Sequence, residues 1–379
     1  MFFADSVTSA SGIVVVASDP ARGVAARALT GERGEYILHL PRPARYEVRA
    51  LRIGFRPTAV SPITLAAGES RTVDIVLRDE AVSLASVTVR GQSVCQSARD
   101  SGQLVVQLWE QARTALSATS LGAAGSRMTA TVRVYDRTLD SLGTAVRRES
   151  SNVLSGTTLR PFASLSPDSL ARVGYVSEDS TGTEYRAPDA DVLLSESFAA
   201  LHCLRSEPAP ADHPAWVGIG VRPARDRRGI YDIEGTLWLD RASSELRAFE
   251  YLYTGLPREL ARAKAGGRVE FQRLPTGHWI VNRWSIRMPE TLVRRTVTGV
   301  GTNQRVVNST VVQAIHVRGG ETIDVRRDGV VLYHSDVAAT APAQPAPAST
   351  IAPSPSRAAA IRAHGGAHRG PDAQRAPAV

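Results

Sequence analysis

The residues of this 379-residue chain best suited to chemistry are few and scattered. The two cysteines, Cys95 and Cys203, stand far apart and form no CxxC pair. Cys203 follows His202, which as a base could generate a thiolate nucleophile. Adjacent residues on a strand face opposite ways, however, and neither cysteine sits in a papain-like or caspase-like context. An even, minimal cysteine count fits a single Cys95–Cys203 disulfide in an oxidising compartment, with free structural thiols as the alternative. Closing a loop of about 100 residues would contribute roughly 4–5 kcal/mol in the chain-entropy account, an upper figure because native strain subtracts from it.

His202, Cys203, Asp212 and His213 are also metal-ligating types, but their spacing matches neither HExxH nor paired CxxC. The carboxylate pairs Glu178/Asp179 and Asp189/Asp191 lie in polar loop sequence, which favours solvated turns or helix caps over acid–base dyads. GxSxG, a phosphate-cradling glycine loop and a dinucleotide fingerprint are all missing, and Gly299-Val300-Gly301 reads as a lone turn. The sequence therefore assigns no catalytic residue, no metal ligand and no cofactor.

The aromatic set Trp238, Phe249, Tyr251, Tyr253, Phe271, Trp279 and Trp284 is the better lead. Phe249, Tyr251 and Tyr253 share one face of a strand, and Trp279 shares parity with Val281 nearby. Phe249, Tyr251, Tyr253 and Trp279 are thus candidate ligand contacts, able to line a concave face around an acyl chain or to stack on sugar rings. The plainer reading makes them the core beneath a covering helix, and it is the favoured one.

The net charge of +8 and a pI near 10.0 raise the question of a nucleic-acid partner. The basic residues are nearly all arginines scattered singly among acids, as in Arg45-Tyr46-Glu47-Val48-Arg49, and Lys264 is the sole lysine. Without basic runs or aromatic–basic interleaving, no nucleic-acid partner is expected. A basic face meeting anionic lipid or polysaccharide is a lesser alternative. No window of about 18 apolar residues exists, so no transmembrane helix is expected. The opening "MFFADSVTSASG" shows no signal peptide.

The elements around these residues come in two styles. Up to about residue 79 the chain is strand-rich and closely punctuated. Ile13–Val16 is a β-branched run and Thr30–Gly34 a turn. Tyr36, Leu38 and Leu40 alternate with polar or outward residues, as do Tyr46, Val48 and Ala50, and Val73, Ile75 and Leu77 form a last strand. Such spacing without helical period points to a β-sandwich.

The segment "TGERGEYILHLPRPARYEVRALRIGF" resembles the carboxypeptidase regulatory-like domain, a transthyretin-like sandwich, through Gly34-Glu35-Tyr36, Tyr46-Glu47-Val48 and Gly54-Phe55. The family's glycine before the second tyrosine is replaced here by Ala44 or Arg45, so that corner must turn on Pro41 and Pro43. The resemblance implies glycines with positive φ at corners and tyrosines anchored inward with hydroxyls at the rim. It also implies that Met1 falls inside the first strand, so the gene start is expected to lie upstream, together with a leader. Leu84, Val87 and Val89 resemble the short strand that follows this domain in TonB-dependent receptors, but the chain lacks the length for their barrel. In metallocarboxypeptidases the domain follows a zinc catalytic domain that has no counterpart here, so the resemblance carries over fold and accessory binding alone.

From Asp100 the period becomes helical, with Leu104, Leu108, Ala112 and Leu116 recurring every four residues and Val105 and Trp109 widening the stripe. Strands are expected at 128–135 and 145–153, a short helix opening at Ser166-Pro167-Asp168, and a helix over 191–201. A meander follows over 231–239, 246–253, 269–274, 279–288, 292–298 and 306–317. A helix before a long antiparallel sheet predicts a curved half-barrel closed by helices, and "YDIEGTLWLDRASSELRAFEY" is weakly similar to strand pairs of bacterial lipoprotein carriers. Ala338–Val379 is Ala-, Pro- and Arg-rich and cannot bury enough surface to fold.

The expected fold is therefore mainly β: an N-terminal seven-strand-type β-sandwich over 1–79, a linker with a short strand over 80–99, a curved antiparallel sheet covered by helices over 100–335, and a disordered tail over 336–379. The two β bodies are expected to pack separately. The expected function is that of a non-enzymatic bacterial envelope protein, periplasmic, outer-membrane associated or extracellular, whose sandwich binds or spaces a protein or carbohydrate. The alternative is a periplasmic carrier for a lipid or other apolar ligand. A third is an accessory part of a peptidase or TonB-linked uptake system. The partner class is an envelope protein, a polysaccharide or a lipid.

Overall fold

In the computed structural model, which describes residues 10–82, 102–125, 128–157, 162–179, 182–298, 305–335 and 361–363, the β-branched run near the start becomes β1 (Val14–Asp19). It is flanked by β2 (Gly23–Leu29) and β3 (Ala44–Leu51), both antiparallel, with β4 (Thr58–Ala59) beyond β3. The first residues of β3, Ala44–Tyr46, pair instead with β5 (Ile63–Leu65), so β3 passes from one layer of the sandwich to the other. Ile13, Val15 and Ala17 face inward onto Tyr46, Val48, Ala50, Ile75 and Leu77. Gly34 and Gly54 hold φ of +75° and +83° at their corners, where a side chain would be strained. The Tyr46 ring is fully buried and its hydroxyl donates to the Arg42 carbonyl at 2.7 Å.

The expected strands at 36–40 and 73–77 keep the alternation of burial read from the sequence, but among the described residues they form no regular ladder. Tyr36, Leu38, Leu40 and Val73 pack on the sandwich core, Ile75 and Leu77 lie within it, and Ile37 and Val76 point out. The Tyr36 hydroxyl reaches across to the Val73 carbonyl at 2.8 Å, a side-chain bridge where a sheet would place backbone bonds.

The helical period becomes α1 (Gly102–Gly125), which contains no proline and keeps its glycines at its ends. The expected start at Asp100 or Ser101 lies outside the described residues, as do Cys95, Leu84, Val87, Val89 and the side chain of Leu104. Leu108, Ala112, Ala115 and Leu116 are fully buried, and the small alanines let the backbone lie close to the sheet beneath.

That sheet is antiparallel and begins with β6 (Met128–Leu139) and β7 (Val146–Gly156). A smaller layer follows: α2 (Pro167–Val173), capped by Ser166 as expected, then β8 (Val176–Asp179) and β9 (Gly182–Tyr185). The helix expected over 191–201 is two, α3 (Ala190–Leu194) and α4 (Glu196–Leu201). Ser195 separates them with extended backbone, and its hydroxyl caps α4 by accepting from Phe198 N–H. The meander comprises β10 (His202–Glu207), β11 (Trp216–Pro223), β12 (Ile233–Asp240), β13 (Leu246–Tyr253), α5 (Arg258–Arg262), β14 (Gly266–Arg273), β15 (Trp279–Thr298), β16 (Arg305–Arg327) and β17 (Val330–His334). Among the described residues the order is β10-β11-β12-β13-β14-β15-β16-β6-β7, with β17 also beside β16. α1 touches β10 to β13 and β15, so the sheet curves around it.

Two expected strands, 279–288 and 292–298, are in fact one. β15 runs unbroken through Pro289, where the β14 ladder has already ended at Arg287 and the missing N–H costs no pairing. Within the stretch expected to be unfolded, Ile361–Ala363 forms β18, antiparallel to β9; the remainder of 336–379 lies outside the described residues.

The two β bodies do not pack separately. The outer face of β1 places Val14 and Val16 in the same cluster as Leu108, Ala112 and Leu116 of α1 and the inner residues of the large sheet, with Leu29, Leu51 and Ile53 alongside. A strand buried on both faces needs an unbroken apolar run, and Ile13–Val16 is one. The seam is tight elsewhere too. Gly12 and Gly277 both have positive φ, and a Cβ on Gly12 would stand 2.5 Å from the Gly277 carbonyl oxygen. Ser11 Oγ donates to the Thr276 carbonyl at 3.2 Å, and Arg327 pairs with Glu32.

Candidate binding site

Four side chains were candidates for touching a ligand, with a place in the core as the favoured reading: Phe249, Tyr251, Tyr253 and Trp279. β13 places the first three on one face, with ring centroids 5.5 Å apart for Phe249–Tyr251 and 5.6 Å for Tyr251–Tyr253. All four are buried, Phe249 at 0% and Tyr253 at 4% exposure marking the extremes, in one cluster with Leu108, Ala112 and Leu116 of α1. The Tyr253 hydroxyl donates to the Arg186 carbonyl at 3.0 Å. Burial pushes the phenols of Tyr251 and Tyr253 far above their ordinary value, as it must where a phenolate would lose its water. In this geometry the aromatic face is the floor beneath α1, with Trp109 packed against the same cluster.

The polar residues singled out in the sequence separate. His202 opens β10, whereas Asp212 and His213 lie in the connection between Glu207 at its far end and β11, so His202, Cys203, Asp212 and His213 do not converge. Among the described residues, His, Cys, Asp and Glu form no group of three or more able to hold a metal ion. Asp189 caps α3, accepting from Val192 N–H at 3.0 Å, and also accepts from Ser164 N–H at 3.0 Å. Cys203 is buried on β10, and its expected partner Cys95 lies outside the described residues.

Sequence reasoning missed a buried charge cluster. His202 Nδ1 lies 2.9 Å from the Phe198 carbonyl and its Nε2 lies 3.1 Å from Asp232 Oδ1. Arg227 donates to Asp232 Oδ2 at 2.7 Å and Ile233 N–H to Oδ1 at 3.0 Å. Burial pushes the Asp232 carboxyl up, but the hydrogen bonds and charges of His202 and Arg227 outweigh it and hold the group below the usual carboxylate range. A His–Asp pair is the orienting half of many nucleophilic sites. Here the adjoining cavity, walled by Leu170, Tyr175 and Phe198, has a volume of only about 10 Å³, too small for a substrate. The cluster ties α4 and β10 to the start of β12. Only the three-dimensional fold could reveal it, because Arg227 and Asp232 read as an ordinary polar turn.

An open concavity lies on the sandwich. Between the segments 33–43 and 63–74 lies a slot of about 880 Å³, lined by Tyr36, Ile37, His39, Leu65, Arg71 and Asp74 among others. Its walls are the 36–40 segment, which alternates like a strand but forms no ladder among the described residues, and β5 with the turn that follows it, and they bring one aromatic, one imidazole and both charge signs to the slot. Ile37 is 73% exposed at its edge. Partial burial raises the Tyr36 phenol, with Asp74 adding to the effect. Such a surface can hydrogen-bond an extended chain or a saccharide and cover its apolar side.

No curated protein and no solved structure matches the chain. One family does match, over residues 5–78, the same body that carries β1 to β5 and the slot. The N-terminal part of the chain is a carboxypeptidase regulatory-like domain, a β-sandwich joined to a larger curved sheet.

Proposed function

We propose that this chain is a non-enzymatic binding protein of the bacterial cell envelope, whose regulatory-like sandwich holds a protein or carbohydrate partner while the large sheet acts as its rigid base. The observation that carries this reading is the contrast between the two concave faces. The hollow of the curved sheet is filled by α1 and the buried rings of Phe249, Tyr251, Tyr253 and Trp279, whereas the slot beside Tyr36 is open. A carrier for an apolar ligand would need the opposite arrangement, so the half-barrel alternative is the weaker one. An envelope location also suits a Cys95–Cys203 disulfide.

Binding of purified wild type to peptidoglycan, envelope polysaccharides and surface proteins, compared with Ile37→Glu and Arg71→Ala, tests the proposal. Loss of one specific interaction in both variants, with unchanged melting, supports it. Binding indifferent to both variants overturns it. A stoichiometric lipid in native mass spectra of protein taken from its own envelope would return the function to the carrier class.

A further inference from the structure

The hairpin of β15 and β16 is far longer than its neighbours. The β14 ladder on β15 ends at Arg287, and the β6 ladder on β16 ends at Ile315. Among the described residues Thr291–Thr298 and Arg305–Val312 therefore pair only with each other, as a two-stranded arm reaching roughly 27 Å past the sheet. A lone two-stranded ribbon is marginal in water, and this one exposes apolar side chains: Val293 at 67%, Val297 at 55% and Val306 at 46%.

Register assigns these residues to one face. Val293, Arg295 and Val297 alternate on β15 opposite Thr310, Asn308 and Val306 on β16, and Arg287 and Val312 continue the same side toward the base. At that base is a hollow of about 610 Å³ lined by Arg262, Lys264, Arg287, Val312 and Leu142, the last 78% exposed. Glu259 is the one acid in its lining. The chain contains no Asp or Glu between Glu290 and Glu321, and Glu290 alternates to the opposite side, where it pairs with His316 at 2.8 Å.

We propose that this face, from the hollow at Arg262, Lys264 and Arg287 out along the arm, docks on an anionic lipid bilayer, with lipid phosphates at the cations and Val293, Val297 and Val306 in the interfacial layer. Cations beside exposed aliphatic side chains are the complement of a negatively charged headgroup region over hydrocarbon. A second copy of the chain meeting this face symmetrically would set like charges against each other. Nucleic acid would want stacking rings, and the face presents none. The inference stands independently of what the sandwich slot binds.

Flotation with vesicles of phosphatidylcholine alone, and of phosphatidylcholine with one-third phosphatidylglycerol, is the test. Full-length protein should bind the anionic vesicles in preference, and less so at high salt. Arg262→Glu/Arg295→Glu should weaken binding about thirtyfold, and Val293→Ser/Val297→Ser should also weaken it, both with unchanged circular dichroism and melting. Arg147→Glu/Arg148→Glu on β7 makes the same change in net charge elsewhere and should leave binding largely intact. Equal loss in that control, absence of anionic preference, insensitivity to both face variants, or a dimer in solution that the valine variant dissociates would each overturn the proposal.

Discussion

The side-chain amide of Gln111, on α1, clasps the Gly54–Phe55 corner of the sandwich: its Oε1 accepts from Gly54 N–H at 2.7 Å and its Nε2 donates to the Phe55 carbonyl at 3.4 Å. Gln111 is buried, so truncation would strand two backbone groups away from water. Gln111→Ala is expected to cost about 1–3 kcal/mol in urea unfolding. Because Val14 and Val16 lie in the core of α1 and the large sheet, fluorescence and circular dichroism should follow one shared transition. Two resolved transitions would show that the seam is weaker than its packing indicates.

Gly12→Ala tests the second seam contact. The new methyl group would meet the Gly277 carbonyl, on a backbone with φ of +69°. The expected loss is about 1–3 kcal/mol. Gly68→Ala, at φ of +75° but with nothing within 4 Å, isolates the backbone part and should cost less. Equal shifts in melting temperature would remove the steric argument.

Asp232 should write itself into the pH dependence of stability. Its carboxyl is held below the usual carboxylate range, so its stabilising contribution is complete above about pH 5 and is lost as pH falls through the lower folded value. Asp232→Asn is expected to flatten the acid limb of a stability–pH curve measured below about pH 4. Asp232→Ala leaves His202 and Arg227 without their carboxylate and should cost about 3–5 kcal/mol at neutral pH.

Trp279→Ala separates core from ligand contact. A core ring, 1% exposed, should cost about 3–5 kcal/mol when removed and leave binding at the sandwich slot unchanged. A ligand-contact ring would show the reverse: loss of a bound apolar molecule with little change in melting.

The expected Cys95–Cys203 disulfide predicts an intact mass two hydrogens short of the dithiol and no labelling by iodoacetamide after denaturation. Reduction should then lower stability by up to roughly 4–5 kcal/mol. Two labelled thiols in protein purified from an oxidising compartment would rule the bridge out.

How far the sequence speaks can be seen element by element. Alternation at Tyr46, Val48 and Ala50 named the inward face of β3 correctly, because a half-buried strand prints its period in the residue types. β13 was legible to the residue for the same reason. β11, "WVGIGVRP", was not: Gly218 and Gly220 look like turn signals, yet each lies where the side chain of Glu207 or Trp238 fills the place of a Cβ. Pro289 suggested a break in β15 because sequence cannot say that the neighbouring strand has already ended. The aromatic face was located, and its burial beneath α1 depended on a packing partner more than a hundred residues away. The slot was illegible, since it lies between the unladdered 36–40 segment and β5 with its turn, a juxtaposition that neither segment prints in its own residue types.

The double burial of β1 bears on how such a protein can be taken apart. Residues 5–78 match a recognisable unit, but an excised fragment would bare Val14, Val16, Leu29 and Leu51 as a sticky flank. The region that can be named and the region that can stand alone differ here. Grafting the sandwich onto another scaffold would call for polar replacements along that flank, or for carrying α1 with it as a splint.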